Sequence, residues 1–248
     1  MCGRYVSATP PDQIAAYFDA AAPEALLEPS YNVAPTKDVY AVLSDGTTRV
    51  VDAFHWGLIP LWAKDAKIGS KMINARAETL ADKSAYRRAY QKRRCIIPAD
   101  GFFEWKKVPG QKAKQPMFIH RNDGEPMAFA GLWEVWRPGS PAESGAGDAG
   151  TPDDESTWVH SCTIITGEPN EVVSPIHDRM PVQLPPSAWD TWLSRDVEDT
   201  DLLGKLLVPA PASLLAAHPV SLRVNDVRQN DSALVDAFDP DGGQATLL

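Results

Sequence analysis

The residue best equipped for covalent chemistry in this chain stands second, in Met1-Cys2-Gly3-Arg4-Tyr5. A small residue at position 2 permits removal of Met1, and the mature chain then begins with an amine and a thiol on one residue. The free α-amine titrates at roughly 7.7–8.0 and the thiol at about 8.5, so both are partly reactive near neutrality. Such a 1,2-aminothiol condenses with an aldehyde to an imine, and its sulfur can then close a stable thiazolidine ring, a step no lysine can take. The other two cysteines, Cys95 and Cys162, lie in apolar strand-like runs (Cys95-Ile96-Ile97 and Cys162-Thr163-Ile164-Ile165) and read as small core residues.

Four further positions carry groups that could exchange protons or bind a polar substrate. Glu104 lies in Phe102-Phe103-Glu104-Trp105, a setting able to raise its pKa by desolvation; equally, alternation along a strand places Phe103 and Trp105 opposite it, as for a surface carboxylate. His177, between Pro175 and Pro181, suits proton exchange near pH 7, or is simply a loop histidine held by Asp178. Asn74 alone reads as a turn residue, but with Arg76 two positions on, both would face one side of an extended segment, an amide beside a guanidinium able to grip an anion at two points.

The chain's formal charge of −9 argues, taken as an average, against a polyanionic partner. Its distribution argues the reverse. Residues 64–121 hold 15 basic against 5 acidic residues, a local +10, while the remainder holds 9 against 28, or −19. Arg4, Lys71, Arg76, Arg87, Arg88, Lys92, Arg93, Arg94, Lys106 and Lys107 are candidate phosphate contacts, interleaved with aromatics able to stack bases. The Arg87–Arg94 run also reads as a solvated helix face. No apolar run approaches the roughly 18 residues of a bilayer span, and the N-terminus lacks an apolar export region, so the expected setting is the cytoplasm, at the nucleoid when bound to DNA. Cysteine spacing suits neither a disulfide framework nor a metal site; no metal or organic cofactor is expected.

These residues need elements to hold them. Thr9-Pro10-Pro11-Asp12 predicts a capped short helix. Residues 39–44 and 47–54 flank Asp45-Gly46 as a hairpin. Helical spacing over Thr79–Arg94, strands from Cys95 and Phe102, and a second hairpin joining 117–120 to 127–133 around Asn122-Asp123-Gly124 follow. Trp158–Thr166 reads as a strand, Leu184–Leu193 as a Pro-initiated helix and Leu202–Val208 as another. Residues 138–156 read as a flexible surface insertion and 236–248 as a frayed tail, leaving 1–235 as one domain. The fold class is α+β, with mostly antiparallel sheet.

Six ordered blocks carry a resemblance: the N-terminal Cys2-Gly3-Arg4-Tyr5, Tyr31-Asn32-Val33-Ala34-Pro35, Trp56-Gly57-Leu58-Ile59-Pro60, Ile73-Asn74-Ala75-Arg76-Ala77-Glu78-Thr79, Arg94 through Trp105, and His177-Asp178-Arg179-Met180-Pro181, with His218-Pro219-Val220-Ser221 behind them. The chain closely resembles the SRAP (SOS-response-associated peptidase, abasic-site processing) family. The resemblance implies a single domain with a barrel-like β core and a few peripheral helices, acting as a monomer on abasic sites in single-stranded DNA, including single-strand/double-strand junctions. It implies Cys2 as nucleophile forming a thiazolidine cross-link, Asn74 positioning the N-terminus and sugar, Glu104 as general acid/base and His177 assisting imine chemistry. It implies DNA contacts from Arg4, Asn32, Pro35, Trp62, Lys71, Arg76, Arg87, Arg88, Trp105, Lys106, Thr166 and Arg179, with Trp62 as a wedge between bases or else a core tryptophan. Lyase activity through the imine and self-removal of Met1 are further implied activities. Two other readings of Cys2 compete: the N-terminal nucleophile of a glutamine amidotransferase, which also opens Met-Cys-Gly, and an incidental cysteine on a non-catalytic single-strand-binding module.

Overall fold

A computed structural model describes residues 2–110, 112–138 and 158–239. The predicted insertion at 138–156, apart from Pro138, and the tail beyond Asp239 lie outside the described residues. Five strands close on themselves: β4 (Asp38–Ser44), β5 (Arg49–Trp56), β7 (Arg94–Ala99), β10 (Met127–Trp136) and β11 (Val159–Gly167). Neighbours β5-β4-β7-β10-β11 pair antiparallel, and β11 returns to β5 in parallel at Ser161–His55 and Cys162–Trp56, completing the ring. Short strands extend it: β2 (Ala20–Ala21) on β5, and β6 (Asn74–Arg76) and β12 (Met180–Pro181) on β11. A second, antiparallel sheet runs β13-β9-β8-β1-β3, from Leu215–Pro219, Gln115–Arg121, Gly101–Lys106, Tyr5–Ser7 and Ser30–Val33 respectively. The α+β class with mostly antiparallel sheet is as the sequence predicted, and the barrel-like core is as the resemblance implied.

Ring strands bury both faces, with alternation sorting side chains between two cores. Tyr40, Val42 and Ile96 face a cluster with Ile14, Phe18, Leu80, Trp189 and Trp192 from the helical side. Val39, Ala41, Leu43, Cys95 and Ile97 face the other, shared with Tyr5, Phe102 and Ile119 of the second sheet and with Cys2 and Cys162. Cys95 and Cys162 are wholly buried there, as their apolar runs predicted.

Several predicted elements come out differently. Helix α1 (Pro11–Tyr17) is Pro-initiated, but no side chain caps it: Pro10 stands at its N-cap, and the Thr9 hydroxyl bonds Asp100. The predicted 79–94 helix contracts to α2 (Arg87–Lys92) after a 3-10 turn at Ala77–Thr79; the Tyr86 hydroxyl bonds the Asn74 carbonyl at 3.3 Å, and Arg94 already pairs with Leu132 as a strand residue. Strands β9 and β10 do not form a hairpin. Each takes both its partners elsewhere, and Asn122 ties the intervening turn to Ser213, Leu214 and Leu215. Helix α3 (Trp189–Leu193) follows a Pro-initiated 3-10 turn as expected, whereas α4 spans Thr200–Gly204, earlier than predicted, since the Asp199 carboxylate accepts from the Asp201 and Leu202 amides and starts it.

Arg94 corrects the reading of the basic run most sharply. Its side chain is buried and donates to the carbonyls of Tyr90, Gln91, Trp192, Ser194 and Val197, so it stitches α2 to α3 and contacts no solvent polyanion. Arg94→Met leaves these carbonyls without their charged donor and is expected to cost about 3 kcal/mol of stability, whereas Arg87→Met on the exposed face of α2 should change it by less than about 0.5 kcal/mol. Urea denaturation of the two variants checks the contrast; equal effects would contradict the structural role of Arg94.

Candidate active site at the N-terminus

Strand pairing carries Cys2 to Glu104. Strand β1 runs antiparallel to β8 with Tyr5 opposite Phe102, and the Phe103 amide donates to the Arg4 carbonyl at 2.9 Å. Continuing that register brings Gly3 level with Glu104 and Cys2 level with Trp105, one position along the same strand. Alternation on β8 then does what the sequence allowed, with an outcome it did not fix. Phe103 and Trp105 turn to a small cluster with Val6, Phe118, Val220 and Val224, while Phe102 and Glu104 turn toward the side of Cys2 and Tyr5. Glu104 is therefore not a surface carboxylate: it is only 3% exposed.

Burial sets the protonation states. Desolvation raises the Glu104 carboxyl from its ordinary 4.5 to about 7, against smaller opposing effects that include the Trp105 amide. Burial likewise drives the Cys2 thiol far up, with the Glu104 charge adding to the effect, so the sulfur is held as a thiol at neutral pH. His177 shifts downward, chiefly through desolvation, which favours the neutral imidazole. Near pH 7 the site thus combines a half-ionised carboxyl with a neutral imidazole, both able to give or take a proton.

Asn74, on β6 beside β11, donates from Nδ2 to the Cys2 carbonyl at 2.8 Å, and its Oδ1 is buried without a partner among the described residues. His177 Nε2 stands 3.9 Å from Glu104 Oε2. Its Nδ1 is 3.0 Å from the Arg179 amide nitrogen and 2.9 Å from Asp178 Oδ1. One ring nitrogen cannot accept and donate at once. In the neutral ring with its proton on Nε2, Nδ1 accepts from Arg179 and the N–H lies on the Glu104 side; when Nδ1 is protonated, Asp178 is its acceptor. Asn170, which the sequence reading passed over, shapes this loop: Oδ1 accepts from the Val172 and Val173 amides, and Nδ2 reaches the Ala210 carbonyl. An Asn opening a Pro-bounded turn was the available signal.

The expected DNA-contacting residues divide into outward and inward sets. Lys71, Arg76, Arg87 and Arg88 are exposed, and Arg76 lies one residue beyond buried Ala75, on the side of Asn74. Trp62 is 41% exposed rather than a core residue; it lines a groove of about 720 Å³ with Ile68, Lys64, Lys67 and Lys71. The loop beneath is fixed by Gly57 and Gly69, where a Cβ on Gly57 would lie 2.6 Å from the Gly69 carbonyl oxygen and φ is +144°. Pro35 and Lys106 are half-buried, and Lys107 is exposed. Inward, Arg4 donates to Asn32 Oδ1 (2.6 Å) and the Val224 carbonyl (2.8 Å) and lies over Trp105, whose Nε1 donates to Asn225. Buried Asn32 spends Nδ2 on the carbonyls of Val224, Asp226 and Gln229, so these two residues tie the N-terminus to the 222–229 segment. Lys92 pairs with Glu198, and Arg93 with buried Glu134. Thr166 is buried opposite Arg76 in the β6–β11 register, and Arg179 is paired with Glu78. Among the described residues no His, Cys, Asp and Glu side chains cluster as a metal site, and no helix is long and apolar enough to cross a membrane.

A profile of the SOS response associated peptidase (SRAP) family matches residues 1–227. The chain is 43% identical to the abasic site processing protein YoaM of Bacillus subtilis over 96% of its own length and 98% of that protein's. It is 35% identical to the abasic site processing protein HMCES of Gallus gallus over 84% of this chain and 66% of that one. A crystal structure of a Bordetella bronchiseptica protein aligns at TM-score 0.71 and 29% identity, covering 89% of this chain and all of that one. A Bacteroides thetaiotaomicron protein shares the fold at TM-score 0.80 and 23% identity, over 96% and 100% of the two chains.

The burial of Glu104 has a measurable consequence. A carboxyl whose folded pKa is raised binds its proton more tightly in the folded than in the unfolded chain. Its stabilising contribution is complete below about 4.5 and is lost as pH rises through about 7. Glu104→Gln mimics the protonated form at every pH. The stability of wild type relative to this variant should therefore fall between pH 4.5 and 8, by on the order of 3 kcal/mol in total. Denaturation of both proteins at pH 5 and pH 8 measures the difference, and a pH-independent difference would contradict the dry setting of Glu104.

Proposed function

Because the chain belongs to the SOS response associated peptidase family, we propose that it processes abasic sites in DNA, forming a covalent thiazolidine between Cys2 and the lesion in single-stranded DNA once Met1 is removed. The observation that carries this reading is the convergence near Cys2 of a carbonyl-holding Asn74, the buried Glu104 and the half-buried His177 beside it. The relatives named abasic site processing proteins support the substrate.

The proposed chemistry accounts for each group. An abasic deoxyribose is mainly a closed hemiacetal. Opening it needs a proton delivered to the ring oxygen and one removed from the hydroxyl at C1′, which exposes the aldehyde. The Cys2 amine, as the neutral base, adds to the aldehyde carbon to give a carbinolamine. A proton from Glu104 or His177 lets its hydroxyl leave as water, giving the imine. Because the thiol is held protonated, its addition to the imine carbon is coupled to transfer of its proton to a carboxylate at Glu104. The new C–S bond forms as the imine π electrons move to nitrogen, which takes a proton, and the five-membered ring is complete. Lyase activity competes at the imine, whose acidified neighbouring C–H can be removed before sulfur adds. Asn74 grips the Cys2 carbonyl, a group that the reaction never consumes. Exposed Arg76 and Lys71 supply phosphate contacts, and Trp62 a stacking face.

Incubation with an oligonucleotide bearing one abasic site tests the proposal by denaturing electrophoresis and intact mass. Protein confirmed to lack Met1 should form an adduct at Cys2 without borohydride, Cys2→Ala should form none, and Cys2→Ser should give only a borohydride-trapped imine. Glu104→Gln and His177→Ala should each slow adduct formation by roughly 10²-fold or more while changing DNA affinity little. No adduct from the mature protein, with unaltered binding by Cys2→Ala, would instead make the chain a non-covalent single-strand binder; ammonia release from glutamine dependent on Cys2 would favour an amidotransferase.

A further inference from the structure

Arg179 stands two residues from His177, yet both of its terminal nitrogens are engaged by one carboxylate. Nη1 and Nη2 lie 2.7 and 2.9 Å from the two oxygens of Glu78, and Nη2 also donates to the Thr166 carbonyl. This is the planar two-point grip that a guanidinium offers equally to a carboxylate or a phosphate. The two partners are held unequally. The Arg179 side chain is 16% exposed and anchored to the end of β11, whereas the Glu78 side chain is 49% exposed on a short 3-10 turn. Arg179 also keeps a buried Nε with no acceptor among the described residues. Thr166 sits opposite Arg76 in the β6–β11 register, which places this ion pair beside the exposed arginine expected to meet the DNA backbone. The Glu78 carboxyl is held below its ordinary range mainly by Arg179, with Arg76 contributing, so it is an anion at all physiological pH values.

We infer that Glu78 is an internal competitor for a backbone phosphate of the bound strand: it occupies Arg179 in the unbound protein and gives way to the phosphate on binding. The inference rests on the DNA-binding reading above. A partly solvated ion pair contributes little to stability, so the exchange costs little, and the half-exposed partner is the one able to leave. Until it leaves, it cancels one positive charge beside His177 and presents a negative one to any approaching strand. Glu78 thereby lowers the affinity for undamaged DNA while the covalent step holds a lesion-bearing strand.

Fluorescence anisotropy with an undamaged oligothymidylate tests this without involving the covalent step. Glu78→Gln should bind roughly four-fold more tightly at low ionic strength, as expected when a partly solvated ion pair no longer has to be broken before Arg179 meets the phosphate. Its plot of log affinity against log salt concentration should steepen by up to about 0.7, because the Arg179–phosphate contact is then no longer offset by a carboxylate released beside it. Glu78→Ala serves the same purpose should the glutamine variant fail to fold. The gain should disappear in an Arg179→Ala background, since it passes through that arginine. A gain that persists without Arg179 would be a general charge effect and would overturn the inference. So would unchanged affinity combined with slower adduct formation at saturating abasic DNA, the signature of a purely structural pair. Absence of DNA binding by every variant would remove the parent reading as well; adduct formation at Cys2 with no gain from Glu78→Gln would remove this inference alone.

Discussion

A carboxyl group that is 3% exposed and lies beside a thiol depends on being kept dry, and much of the architecture serves that end. Strand β8 is flanked by β1 on one side and β9 on the other, so its backbone groups are paired and water has no edge to enter. The face carrying Phe102 and Glu104 is pressed against the closed ring, where Phe129, Trp56 and Tyr5 meet edge-to-face. Ring closure through the short parallel contact of β11 with β5 matters for the same reason, because it places Cys162 and Ile164 in the core that includes Cys2. Opening that surface would restore water to Glu104 and return its pKa toward that of an ordinary carboxylate, which is too acidic to exchange protons efficiently near neutrality.

The same economy explains why a local charge of +10 overstates the field outside the molecule. Arg94 is consumed by carbonyls, Arg93 by Glu134 and Lys92 by Glu198, while Lys71, Arg76, Arg87 and Arg88 remain exposed. The run from Arg87 to Arg94 is thus two things in succession, an exposed pair followed by a structural suture where α2 passes into β7. Charge counted along a chain is blind to this division, because an arginine side chain can reach backbone carbonyls from two elements at once, and which elements lie near is decided by tertiary contacts.

Legibility followed the range of the interaction. The β4–β5 hairpin was readable because Asp45-Gly46 is its own signal: the Asp45 carboxylate accepts from the Thr47 and Thr48 amides, and Gly46 takes φ +104°. The pairing of Asn74 with Arg76 on one side of a strand, the burial of Cys95 and Cys162, and the Pro-initiated start of α3 were local in the same sense. The false hairpin at Asn122 carried similar turn residues, but its side chain bonded residues 213–215, some ninety positions away. Glu104 was the instructive middle case. Its alternation was legible, yet whether its face met solvent or Cys2 hung on the β1–β8 register. Asn32 and Arg4 read as DNA contacts, while the structure turns the Asn32 amide and Arg4 Nη1 toward the 222–229 segment.

That inward use of Arg4 and Asn32 bears on how a chain terminus can serve as a reagent. The first residues of a domain fray unless something ties them down, and an α-amine that reacts cannot itself be the tether. Here the restraint is applied at the groups that directly follow the Cys2 amine and thiol. Asn74 takes the Cys2 carbonyl, Phe103 the Arg4 carbonyl, and the Arg4 side chain is clamped between Trp105, Asn32 and Val224. Every one of these bonds uses a group that the proposed reaction leaves untouched. The entropy of ordering the terminus is therefore met during folding, before any aldehyde arrives, and the amine and thiol are presented together to one carbon. Under the proposed reaction, the holding of the terminus thus depends on residues 222–229 as much as on the N-terminal motif, which would give the far end of the domain a part in positioning its second residue.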